Sequence, residues 1–444
     1  MSSGTGTGTV DPTPLERETI ARVTRRMIPL LFLCYYAAYL DRVNVGFAAL
    51  HMNQALGLTA AAFGLGGGIF FIGYFLAEIP SNLILERVGA RVWIARILIT
   101  WGIISGLTAF VWSEWSFYAI RFLLGIAEAG YYPGIILFLT WWFPSAYRAR
   151  MIAMFMTAIP VAVITGSWAS GFILGMDGIW GLAGWQWLFI IEALPAIVLG
   201  VVVFLTLTDR PEQAHWLIEP QRQWLCGRLA AERAHRESIR HFALGQALAN
   251  GRVWALTLVY FGQNVTSYGF VLFLPQIVKR FGLTDVQTGF VSALPFIGAL
   301  IGILLWARAS DRSGARSTLC GASLLISAGL LISCLALQYS PVATMVALIL
   351  FQVAASGIAP TFWPLPTAML TGTAAAGGIA LINSVGNLGG FLGPYAMGLV
   401  RDATGSFALG LLTIAIGSVV GGLVVLTLGH DRRLEQPTAQ LAAE

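Results

Sequence analysis

The stretch Glu86-Arg87-Val88-Gly89-Ala90-Arg91 recurs as Asp311-Arg312-Ser313-Gly314-Ala315-Arg316 in a chain of 444 residues, and each copy lies between long apolar segments. The recurrence marks a duplicated half. A hydrophobic chain built from two similar halves sets its working site between them, near the bilayer midplane, because rocking one half against the other exposes that site to either side in turn.

Outward from the two copies, the composition agrees. Hydrophobic residues make up 57% of the chain and charged residues 11%, against about 25% charged in a soluble domain. A hydrocarbon core of about 30 Å takes about 20 apolar residues to cross as a helix. Twelve windows meet that requirement, six from Arg26–Leu50 to Trp185–Leu207 and six from Val253–Pro275 to Ser406–Leu428. The expected fold is an all-α membrane protein with twelve transmembrane helices in two halves. The expected units are an N-terminal tail (1–25), a first half (26–208), a linker (209–252), a second half (253–428) and a C-terminal tail (429–444), with the end of that tail, from Gln436, read as disordered. Within the linker, Leu217, Trp224, Leu225 and Leu229 among many charges read either as a helix on the membrane surface or as a solvated connector.

The net charge of +5 is a topology signal. Most arginines fall before helix 1, beside the two repeat copies, in the linker and after helix 12, so both termini are expected in the cytoplasm, and no nucleic-acid partner is implied. Residues 1–25 lack the basic, apolar and small-residue order of a cleaved leader, so helix 1 is expected to be retained. The one lysine, Lys279, has no glycine-rich neighbourhood of the kind that holds a nucleotide phosphate. The five histidines sit in or beside loops and the four cysteines are dispersed, so no enzyme chemistry, metal site or cofactor is expected, and the cysteines read as packing residues. Transport energy must then come from an ion gradient, with the proton as the expected coupling ion, or from the substrate's own gradient.

A charge at the bilayer centre costs about 3 kcal/mol, so ionisable residues kept there are functional candidates. Helix 1 carries Asp41 and Arg42; helix 4 carries Arg121 and Glu128, which share one face at about 10 Å separation. These four read as a proton-coupled anion site. Ionised Asp41 and Glu128 neutralise the arginines internally, and protonation frees a guanidinium fork for a substrate carboxylate. The competing reading is a buried ion-pair network that fixes helix packing. Glu78 and Glu192 read as locally paired structural acids. At the helix ends, Glu86, Arg87, Arg91, Asp311, Arg312 and Arg316 are gating candidates, because such charges can latch one conformation through a neighbouring helix or its dipole. The second half offers neutral polar groups instead. Tyr260, Asn264 and Tyr268 recur every four residues beside Gln263, while Asn383 and Asn387 do so in helix 11; each Asn or Gln reads as a substrate ligand or as interhelical glue. Helix 10 is expected to break around Pro360, Pro364 and Pro366.

Taken together, Tyr39-Leu40-Asp41-Arg42-Val43-Asn44, Phe70-Phe71-Ile72-Gly73-Tyr74, Glu78-Ile79-Pro80-Ser81-Asn82, Arg121 to Gly130, Thr361-Phe362-Trp363 and Ala380 to Gly390 resemble the anion:cation symporter family of the major facilitator superfamily. The resemblance covers helices 1 to 12. It implies two pseudo-symmetric six-helix bundles, a monomer in the cytoplasmic (inner) membrane, and proton-coupled uptake of small organic anions. By position, Asp41 and Glu128 match the family's proton-handling acids, and Arg42 and Arg121 its anion-organising arginines. Tyr39, Tyr74, Trp363 and Asn383 match substrate-lining positions, with Gln263 and Asn264 as helix 7 counterparts, and Glu86 stands where the superfamily's loop commonly has Asp. The bacterial tartrate and aromatic-acid carriers are similar, so a tartrate-like hydroxylated dicarboxylate is the first expectation. Aromatic carboxylates such as phthalate are the second, and proton-driven export of amphipathic compounds on the same fold is the alternative.

Overall fold

The computed structural model describes residues 13–239, 250–369 and 373–428. The expectations for residues 1–12, for 240–249 of the linker, for 370–372, and for the tail from 429 onward, including the disorder read from Gln436, fall outside the described residues. Among those described, the chain is helical from end to end, and the helices are α1 Pro14–Leu56, α2 Ala60–Val88, α3 Ala90–Leu107, α4 Glu114–Glu128, α5 Tyr131–Trp142, α6 Ser145–Met156, α7 Ala158–Ile173, α8 Gly184–Thr206, α9 Glu219–Ile239, α10 Gly251–Lys279, α11 Asp285–Ser313, α12 Arg316–Leu337, α13 Pro341–Ala355, α14 Ile358–Phe362, α15 Pro364–Met369, α16 Thr373–Asn387, α17 Gly389–Thr404 and α18 Phe407–Thr427. With α4–α5, α6–α7, α13–α15 and α16–α17 each continuing one rod, and α9 set apart, the described helices make twelve rods. α9 is the linker helix.

The sequence duplication is visible as matched rods. α2 and α11 are both 29 residues long, and each starts at a threonine cap whose side chain accepts a backbone N–H (Thr59 from Ala62, Thr284 from Gln287). They end at corresponding glycines of the repeat, Gly89 with φ 98° and Gly314 with φ 62°. Only glycine takes that backbone without strain, which is why both copies keep it. Helix 10 breaks as expected, at Gly357 and at Trp363 before Pro364.

Two elements differ from the sequence reading. α1 starts at Pro14, because Thr13 caps it by accepting the Glu16 N–H at 3.2 Å and Pro14 suits a first helical turn; part of the stretch read as tail is thus helix. α9 docks on the first half instead of lying free. Leu225 is fully buried, Trp216 stacks on Trp142 at 5.5 Å, and the Arg26 guanidinium lies 5.1 Å above Trp216.

The halves meet through α2 with α17, α7 with α11 and α1 with α10. They close at the end where α1 finishes. There a Cβ on Gly64 of α2 would stand 2.3 Å from the Pro394 carbonyl oxygen, and one on Gly289, the corresponding position of α11, 2.4 Å from that of Ser167. Polar clasps finish the seal. Asp402 accepts the Ala60 and Ala61 N–H groups at 2.9 and 2.7 Å, putting a carboxylate on the positive end of α2. Asp285 bonds His51 at 3.0 Å and accepts from Lys279 at 2.7 Å. At the opposite end, where α1 begins and α18 finishes, the halves part around a cavity of about 690 Å³.

Gly64→Ala or Gly289→Ala should therefore wedge the closed end apart. Spin labels at Gln54 and Ala403, both exposed beside that end, should report longer distances in either variant than in the parent, and identical distributions would contradict this packing argument.

Candidate functional site

Three connected spaces lead from the open end to the centre. The outer cavity has Glu78, Asn82, Glu86, Trp363, Asn383 and Ser384 in its wall. Trp363 and Asn383 also line a chamber of about 110 Å³ enclosed by Tyr39, Arg42, Tyr74 and Tyr268. Arg42 and Tyr268 in turn border a pocket of about 40 Å³ that contains Asp41, Arg121 and Glu128. The chamber is much smaller than the roughly 300–1,000 Å³ common for drug-sized ligands.

Arg42 and Glu128 form the central ion pair. Glu128 Oε1 accepts from Arg42 Nε at 3.0 Å and also from Arg42 Nη2. Aromatic faces complete the cation's surroundings, with its guanidinium carbon 5.1 Å from the Tyr39 ring centre and 5.7 Å from that of Phe70. Arg121 is buried, donates to the Gly66 carbonyl at 3.4 Å and lies 5.2 Å from the Phe70 ring centre. Among the described residues it has no carboxylate within salt-bridge distance. The pocket therefore holds one compensated cation and one whose guanidinium is available to an anion.

Asp41 forms a salt bridge with neither arginine. Its Oδ1 accepts from Ser105 at 2.7 Å and from Asn44 at 3.0 Å. The adjacent residues of α1 thus point apart as a helix requires: Arg42 serves the chamber, and Asp41 faces α3.

Tyr39, Tyr74, Trp363 and Asn383 come together in the chamber wall; Gln263 and Asn264 do not. Gln263 donates to Ser267 at 2.8 Å, while Asn264 donates to the Gly386 carbonyl at 3.0 Å and to Asn387 at 3.4 Å, joining α10 to α16. Tyr260 and Tyr268, on the same four-residue spacing, do reach the chamber. Glu78, read as locally paired, instead accepts from Asn383 at 3.3 Å and Ser384 at 3.0 Å across the halves. Glu192 accepts from Ser170 at 3.0 Å. Of the gating candidates, Glu86 lines the cavity mouth, Arg87, Arg91, Asp311 and Arg312 are exposed, and Arg316 opens α12. The acid that caps α3 is Asp209, which accepts the Arg91 N–H at 2.7 Å. Among the described residues no cluster of His, Cys, Asp and Glu could hold a metal ion.

The sequence matches a family model described as Major Facilitator Superfamily over residues 31–394 and 256–443. It is 52% identical over 389 residues to an Agrobacterium vitis protein named "Putative tartrate transporter", covering 87% of this chain and 86% of that one. It is 44% identical over 394 residues to an Acinetobacter baumannii protein named "Quinolone resistance transporter", covering 87% and 89%. The solved xylose transporter XylE from E. coli, in a partially occluded inward open conformation, superposes with a TM-score of 0.72 at 16% identity, covering 93% of this chain and 99% of that one; at that identity the likeness concerns the fold.

Because Arg42 and Glu128 satisfy each other inside a low-dielectric pocket, removing one strands the other. Glu128→Ala should lower unfolding stability in detergent by about 3 kcal/mol, and the double variant Arg42→Met/Glu128→Leu should recover most of it. A double-mutant cycle with no coupling would refute the pairing.

Proposed function

The chain belongs to the major facilitator superfamily, and from that premise we propose that this multi-pass transporter couples proton entry to uptake of a small organic carboxylate. The first choice of substrate is a tartrate-like hydroxylated dicarboxylate. The observation that carries the proposal is the Arg42–Glu128 pair at the floor of the chamber. Glu128 and a substrate carboxylate want the same guanidinium fork. Protonating Glu128 ends its claim, so proton and anion load together and leave together. Arg121 supplies a second cation for a second carboxylate, and Tyr39, Tyr74, Tyr268 and Asn383 offer groups to read hydroxyls. The family resemblance of these positions and the name of the 52% identical relative support the same substrate class.

The bundles 26–208 and 253–428 act in this proposal as the two rocking bodies, joined by the linker 209–252. In this proposal the chain sits in the inner membrane with both termini in the cytoplasm, a reading that the arginine distribution supports, and the open cavity then faces inward. Glu86, Arg87, Arg91, Asp311, Arg312 and Arg316 would then work at the inner gate. A monomer contains every group invoked.

A second reading has its own support. The outer cavity is walled mainly by apolar side chains such as Ile79, Leu83 and Ile136, and the 44% identical relative is named for quinolone resistance. Export of amphipathic compounds would use that larger space.

Tests separate the two. In proteoliposomes, labelled tartrate should accumulate only under an inward proton gradient, more strongly as the outer pH falls. Glu128→Gln should lose that accumulation yet keep tartrate exchange, and Arg42→Lys, which gives up the two-point grip, should weaken apparent affinity about tenfold. Gradient-independent wild-type uptake would end the symport proposal. Raised quinolone tolerance in a pump-deficient host, without tartrate flux, would favour export.

A further inference from the structure

Behind Asp41, on the side away from the chamber, lies a second set of buried polar groups. Glu192 of α8 is 3% exposed, Asn44 of α1 is fully buried and Asp41 is 3% exposed. Ser170 of α7 donates to Glu192 Oε1, and Asn44 Nδ2 donates to Asp41 Oδ1. Three acceptors are then left without a donor: Glu192 Oε2, Asn44 Oδ1 and Asp41 Oδ2. Asn44 and Asp41 are also the groups that act on Glu192 besides Ser170. A buried acceptor facing other acceptors is costly. One proton pairs two of these acceptors, and the Trp101 indole N–H, itself buried without an acceptor, acts on Asp41 and can serve the third.

We propose that Glu192, Asn44 and Asp41 form a second proton-binding site, separate from the Arg42–Glu128 pair, in which the two carboxylates share one proton across the Asn44 amide. With the proton on Glu192, its Oε2–H donates to Asn44 Oδ1 while Asn44 Nδ2–H donates to ionised Asp41. With the proton on Asp41, the amide is turned over: Asp41 O–H donates to Asn44 Oδ1, and Nδ2–H donates to ionised Glu192. Both arrangements carry one proton and one negative charge, so the proton changes sides without a change in net charge. Asn44 is the positioning residue, because its amide carries one donor side and one acceptor side.

The titratable groups around this site are few. Asp41 faces Glu192 from α1, and Glu128 of α4 acts on Asp41 from beyond it. α3 contributes Ser105 and Trp101, and α7 contributes Ser170. Arg121 of α4 also acts on Asp41, but among the described residues no cation lies within salt-bridge distance of Asp41 or Glu192, and like charges at close range in low dielectric oppose each other strongly. Single protonation of the pair answers that constraint. Its contribution to transport rests on the symport reading above, whereas the occupancy of the site does not.

The test is infrared difference spectroscopy of the full chain in liposomes at neutral pH, which reads the C=O stretch of a protonated carboxyl group without any substrate. The wild type should show a band that Glu192→Gln removes and that Ser170→Ala and Asn44→Leu both shift. Gln fits because its amide N–H can donate to Asn44 Oδ1 as the proton does, and the small Ser170→Ala change keeps the test open should Gln fold poorly. Spectra of Glu192→Gln and wild type that superimpose in this region would overturn the proposal. So would a band that Glu192→Gln removes but Asn44→Leu leaves in place, because the proton would then not be shared through the amide.

Discussion

Everything at the centre of this molecule depends on how a guanidinium is kept inside the membrane. Arg42 tolerates that position because Glu128 grips it from one side and the rings of Tyr39 and Phe70 cover others. Attraction across a short gap in low dielectric is strong, but so is the cost of desolvating each charge. The pair is therefore a poor source of stability and a good switch. A change in either partner's charge releases the other, and the released group lies at the boundary between the charged pocket and the chamber. Arg121 completes the logic: its partners are a carbonyl and a ring face, so its charge is the part of the balance that an incoming anion can complete.

The two halves share a frame but not a chemistry. α2 and α11 match in length, caps and terminal glycine, and Gly64 and Gly289 make equivalent close approaches to the opposite half. Such backbone contact gives a joint with two settings, because packed helices slide or part but do not compress. The first half supplies the buried acids and arginines. The second supplies Tyr260, Tyr268, Trp363 and Asn383, all neutral. Placing every charged group of the site on one half lets the other half move against it without dragging charges past each other.

The sequence made much of this legible, and the reasons for the rest are physical. Twelve rods follow from hydrophobic length, and Asp41, Arg42, Arg121 and Glu128 stand out because charge is rare in such rods. By composition alone, nine spans among the described residues are apolar enough to cross a membrane; α1, α10 and α16–α17 fall short. Those three carry Asp41 and Arg42, Tyr260 and Tyr268, and Asn383, so the shortfall itself points to the lining of the route. What stayed hidden were partners far apart in the chain. Glu78 bonds Asn383 across 305 positions, and no local pattern announces that. Asn264 and Tyr268 share one helix face, yet a small change of azimuth sends one to α16 and the other to the chamber. Asp209, just past α8, reaches α3 only because the chain turns back there. Periodicity gives faces; only packing says what each face meets.

The Glu78 contact bears on how the cycle closes. Asn383 belongs to the chamber wall, but in this conformation its amide donates to Glu78 rather than into the chamber. Ser384 adds a second bond to the same carboxylate. A substrate that needs the Asn383 amide must exchange for Glu78, just as its carboxylate must exchange for Glu128. Neither exchange is free, and a ligand shifts a conformational equilibrium only by the difference between what it gains in the two states. Under the proposed function, two internal carboxylates thus stand in for a dicarboxylate when the site is empty. They keep buried donors satisfied and hold the open form in reach. On this reading a ligand with a single acceptor group displaces one of them and leaves the other bound, so it closes the site less completely than one that displaces both. Selectivity for dicarboxylates would then arise from the conformational step as much as from the fit of the chamber.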